Sequence, residues 1–180
     1  MKKLSCYLLI LIAYSCIPYK IAPNIEGEKI IKAKKFKKNL PNFYGFIFED
    51  PKNANEFYNF INAKYNLKHL NVDSNVPISI NNETYYLSFF EREKATETIN
   101  LIPIAVDAGL QSKGNDPIFE DNYTSRKGFW YLVLTVTDPK FKDCLNPNHP
   151  QHGKIVNHLK KLKDEYFSTS NYMEAYLKMK

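Results

Sequence analysis

The chain has 180 residues, a formal net charge of +6 and 44% hydrophobic residues, enough for one domain with a substantial core. Lysine outnumbers arginine 23 to 2, so the positive charge lacks the bidentate groups preferred for phosphate and base recognition. From Glu49 to Asp121 twelve acids face six bases, which leaves no broad basic face of the kind that nucleic acid requires.

At the amino end Lys2 and Lys3 precede an apolar run, Leu4 to Tyr14, and Ala13-Tyr14-Ser15 puts small residues on either side of Tyr14 ahead of Cys16. These are the parts of a secretory signal peptide covering residues 1–15. The run is shorter than the roughly 20 apolar residues that span a bilayer. Ala13-Tyr14-Ser15-Cys16 resembles the lipobox of bacterial lipoproteins, a resemblance that covers residues 1–16. It implies cleavage after Ser15 and lipidation of Cys16 by acyl groups such as palmitate. It also implies an address in the cell envelope, facing the periplasm or the cell surface. Ile17 is not acidic, so the expected membrane is the outer rather than the inner one. The same Ala-x-Ser suits the ordinary signal peptidase, which would release a soluble secreted chain with the same first residue. Cys6 leaves with the signal. With Cys16 acylated, Cys144 is a lone thiol; with Cys16 free, a Cys16–Cys144 disulfide is open.

Residues 16–40 carry Lys29, Lys32, Lys34, Lys35, Lys37 and Lys38 and read as a solvated, lysine-rich tether. A single domain then follows over residues 41–180. Phe43 to Phe48 is a predicted strand, and Asp50-Pro51 is expected to open a helix whose Phe57, Phe60, Ile61 and Tyr65 recur at helical spacing. Val76–Ile80 and Glu83–Phe90 are predicted strands of a hairpin turned by Asn81-Asn82. Ile99 to Val106 reads as an edge or bulged strand because of Pro103. Gly128 to Thr137 is a strand with apolar residues on both faces. Ile155, Leu159, Leu162 and Tyr166 form the stripe of a helix, and a short helix is expected after a cap near Asn171, with Glu174 completing a capping box. The expected class is α+β, a single small domain with an antiparallel or mixed sheet of about five strands packed by about three helices.

Three places could carry chemistry. Asp143, Cys144, His149 and His152, with His158 beyond them, have the donor types for zinc, although Cys-x4-His-x2-His follows no established zinc spacing. The polar segment from Asp107 to Lys127 is long for a connection, and its Asp116, Glu120, Asp121, Tyr123 and Arg126 could meet a carbohydrate, a peptide or a cation. Glu91, Glu93 and Glu97 offer paired carboxylates or a solvated strand edge. Nucleophile-elbow, zinc-protease, phosphate-loop and dinucleotide motifs are absent. The expectation is therefore a non-enzymatic envelope module that needs no cofactor and binds a protein partner or an envelope polymer. A metal-dependent hydrolase built on the 143–152 loop is the second reading.

Overall fold

A computed structural model describes residues 16–120 and 123–169. The expected signal segment 1–15, Asp121 and the expected helix near Asn171 lie outside the described residues. The elements run β1 (Cys16–Lys20), β2 (Lys29–Lys32), α1 (Ala33–Phe36), β3 (Tyr44–Glu49), α2 (Glu56–Lys64), β4 (Val76–Ile80), β5 (Glu83–Asn100), α3 (Leu101–Gln111), β6 (Thr124–Thr137) and α4 (His152–Ser168). The class is α+β, as expected: one antiparallel sheet in the order β1-β5-β6-β3-β2, with β4 also paired to β5. The chain divides into two compact units. Of the described residues, one holds those within 16–24 and 93–129, the other those within 25–92 and 130–169.

In the larger unit the β3–β6 register aligns Phe46 with Leu134 and Phe48 with Leu132. These four side chains therefore share one sheet face. Against them pack Phe57, Phe60 and Ile61 of α2 and Ile155, Leu159, Leu162 and Tyr166 of α4, all buried. The aromatic rings meet edge-on, with Phe57 5.0 Å from Tyr166 and 4.8 Å from Phe89, the arrangement their quadrupoles favour. Both expected helical stripes are thus core, and the hairpin is also present. Asn81 and Asn82 take φ of 52° and 64°, the left-handed pair of a two-residue turn that matches strand twist.

The opposite face of the same strands carries Ile47, Tyr131 and Val133, all buried. Its cover corrects the tether expectation. Residues 25–40 are folded: β2 pairs with β3, and Ile25, Ala33, Phe36 and Leu40 are buried. The Phe36 ring stands edge-on to Tyr131 at 5.3 Å. High lysine density concealed an apolar set spaced among the charges, and lysine stems can lie along apolar surface while their ammonium groups stay wet. Glu28 adds an ion pair to Lys160 at 3.0 Å and another to Lys163 of α4.

Two local expectations also change. Asp50 does not cap a helix, because its N–H donates to the Trp130 carbonyl at 2.9 Å and so prolongs the strand pairing; α2 starts six residues later, at Glu56. In the smaller unit the Ile99–Val106 run is not an edge strand. β5 continues to Asn100 and α3 follows. Pro103 sits in the first turn of α3, where a missing N–H costs no helical hydrogen bond.

Candidate functional site

The connection between β6 and α4 is held by two aspartates. Asp138 accepts the Lys140 and Lys142 N–H groups, each at 2.8 Å. Asp143 accepts the Tyr44 N–H at 2.7 Å and the Leu145 N–H at 3.1 Å. The Cys144 side chain is fully buried within the core, and burial pushes its thiol up to about 12. His149 Nδ1 accepts from the Gln151 N–H, and its Nε2 lies 3.9 Å from Asp138. His152 opens α4 with Nδ1 buried and unpartnered. Among the described residues no three His, Cys, Asp or Glu side chains converge as a metal would need. Asp143, Cys144, His149 and His152 are neighbours in sequence whose donor atoms are turned to different tasks.

What the histidine loop does form is one wall of a cleft. Asp138, Pro139, His149, Pro150 and Gln151 face Glu83, Thr84 and Tyr85 across about 510 Å³. Tyr85 donates to Glu83 at 2.5 Å, and burial together with that carboxylate raises its hydroxyl to about 12. Two carboxylates, one imidazole and a fixed phenol thus line an open groove beside the apolar surface of Pro139 and Pro150. Sequence reading located the His149 side of it. The Glu83–Tyr85 side comes from a hairpin more than fifty residues earlier, which local spacing does not connect to the loop.

The polar segment of the smaller unit is organised differently from the expectation. Asp107 is 1% exposed and takes the Ile118 N–H at 3.0 Å, the Phe119 N–H at 2.8 Å and the Tyr123 hydroxyl at 2.9 Å. Burial works against its charge, but those three donors outweigh it and hold the carboxyl below its usual value. Tyr123 is occupied with Asp107. Arg126 is occupied with Glu93 at 2.8 Å, and Asp116 and Glu120 are exposed. The described members of that set do not gather into one site. Local sequence does not mark Asp107, because only the folded segment surrounds it with donors.

The three glutamates of β5 also divide. Glu93 pairs with Arg126, and Glu97 pairs with Lys20 at 2.7 Å and accepts the Tyr19 hydroxyl, so these two belong to a salt-bridged edge. Glu91 instead lines a small void of about 10 Å³ with Asp50, Lys52 and Trp130. Burial raises both Asp50 and Glu91 above the usual carboxylate range. Asp50 accepts the Tyr166 hydroxyl at 2.9 Å, and one Glu91 oxygen is buried without a partner. The void holds about one water molecule, and Glu91 also borders an open cleft of about 280 Å³ with Asn55, Tyr58, Asp73 and Arg92.

Comparison with protein-family models, curated proteins and solved structures returns no match.

Proposed function

We propose that this chain is an exported, lipid-anchored envelope protein that acts as a binding or accessory module for a protein partner or an envelope polymer. The observation that carries the proposal is Cys16. It is exposed and stands directly behind a lysine-led apolar segment ending in Ala13-Tyr14-Ser15, an order that resembles a lipoprotein signal with Ala13 in place of the usual Leu and a bulky Tyr14. Among the described residues the other cysteine, Cys144, is buried, so of these two Cys16 is the thiol open to modification. For the binding role, the Glu83–Asp138–His149 cleft supports a ligand that carries both polar and apolar groups. It is open to solvent, its Glu83, Asp138 and His149 groups can accept and donate hydrogen bonds, and Pro139 and Pro150 add apolar surface beside them.

Growth of producing cells with a labelled fatty acid tests the anchor. The wild-type chain should carry label and sediment with membranes, while Cys16→Ser should lose both; label that persists in Cys16→Ser refutes the assignment. Photo-crosslinkers at Thr84 and Gln151, on opposite walls of the cleft, test the binding role. Both should capture the same envelope component, and its capture should fall in His149→Ala. Failure of the two positions to share a product counts against the cleft.

A further inference from the structure

In the smaller unit, α3 reverses the usual order of a water-facing helix, which buries its apolar stripe and exposes charge. Leu101, Ile102 and Val106 are 41%, 47% and 43% exposed, whereas Asp107, the one charged residue of the helix, is 1% exposed. Ile118, at 68%, and Phe119 of the following segment add to the same apolar surface chemistry. The Ile118 and Phe119 amides are bound to the Asp107 carboxylate. The charge that would oppose burial of α3 in hydrocarbon is thereby folded inward and satisfied.

The position of Cys16 identifies the occupant. Cys16 pairs in register with Asn100, the residue before α3, and its Sγ lies 3.1 Å from Asn100 Oδ1. An acyl chain on that sulfur leaves the protein at the first turn of α3, with no spacer between them. Ile17, Tyr19 and Ile21 beside it are also exposed. We infer that α3 and the Ile118–Phe119 segment dock into the interfacial layer of a lipid bilayer, next to the acyl group on Cys16. The inference rests on the anchor reading for its geometry. An eleven-residue helix extends about 16 Å, short of the roughly 30 Å hydrocarbon core, so α3 lies in the membrane plane. It contains no Lys or Arg, so its attraction is apolar and needs no anionic lipid.

The test uses the full chain, processed in cells, purified in detergent and reconstituted in neutral phosphatidylcholine vesicles. A fluorophore is placed on Ile102→Cys, Val106→Cys or the exposed reference Lys140→Cys, with lipids carrying a quencher along the acyl chain. Labels at 102 and 106 should be quenched several-fold more than the label at 140, and raising salt to about 1 M should leave that difference intact. In the Cys16→Ser chain, added vesicles should still bind, and Ile102→Glu with Val106→Glu should weaken that binding about tenfold or more. The mass of the amino-terminal peptide reports acylation separately. Acylated Cys16 with unquenched labels overturns the docking of α3 and leaves the anchor standing. Quenched labels in an unacylated chain keep the docking and remove the anchor. A dimer in sedimentation with no quenching shows that a second copy covers α3, and also overturns the inference.

Discussion

Replacing Tyr166 with Phe removes one hydroxyl from the interior of the larger unit and leaves the ring in place. The ring keeps its contacts to Phe57 and Phe60 and the Lys52 ammonium 4.3 Å above it. The loss includes the hydrogen bond from the Tyr166 hydroxyl to the Asp50 carboxylate, 2.9 and 3.2 Å from its two oxygens. Asp50 is 8% exposed, so water replaces that donor poorly, and a hydrogen bond to a charged acceptor is worth about 1.5–3 kcal/mol. Burial raises the Asp50 pKa in the fold. Its stabilising contribution is therefore fully present below the unfolded pKa of about 3.9 and is lost as pH rises through the raised folded value. The Tyr166 hydroxyl limits that loss by favouring the carboxylate. Tyr166→Phe should accordingly cost about 1.5–3 kcal/mol near pH 7.5 and about 1 kcal/mol or less near pH 4, where Asp50 is increasingly protonated. Urea unfolding followed by Trp130 fluorescence reads the effect. At a slope of about 1–3 kcal/mol/M, the midpoint should fall by about 1 M at the higher pH. An equal loss at both pH values, or a loss under about 0.5 kcal/mol at the higher one, refutes the assignment of Tyr166 as the partner of a buried carboxylate.

Gly45 packs so closely under Val133 that an added Cβ would lie 2.8 Å from its Cγ1. Gly45→Ala should cost about 1–3 kcal/mol, and Val133→Ala should recover much of it; additive effects in the double-mutant cycle would contradict a direct clash. His158 has a buried, unpartnered Nε2, and burial, aided by Lys64, lowers its pKa. Its contribution to stability is present above the unfolded pKa of about 6.5 and is lost as pH falls through the depressed value. The urea midpoint should drop on acidification in the wild type and drop less in His158→Gln. Asp107→Ala removes the acceptor shared by Ile118, Phe119 and Tyr123, so hydrogen exchange at the Ile118 and Phe119 amides should accelerate while Leu132 and Leu134 stay protected; unchanged exchange at 118 and 119 would exclude the clamp. Cys144 should resist alkylation in the native chain and react fully in denaturant, and rapid native labelling would contradict its burial.

The elements legible from the amino-acid order are those whose signal is complete within a short window. The Val76–Ile80 and Glu83 hairpin carries its own turn in Asn81-Asn82, whose asparagines tolerate positive φ. The α4 stripe repeats at helical period over three turns, and the Phe129–Val136 run shows apolar residues on both faces. Where two structures satisfy one local pattern, the sequence did not choose. Ile99–Val106 fits a bulged strand or a helix with proline in its first turn, and the choice falls to Asp107, whose carboxylate needs donors from Ile118, Phe119 and Tyr123. Residues 25–40 have the charge density of a solvated spacer, yet Ala33 and Phe36 become core because β3 and β6 present a second apolar face that must be covered. Asp50 meets Tyr166, and Glu83 faces His149 across the cleft, through pairings between segments far apart in the chain. By itself the sequence determined local periodicity and the α+β class, because each is written in neighbouring residues. Tertiary structure alone decided which faces are covered and which side chains meet, because burial is set by partners that a local window does not contain.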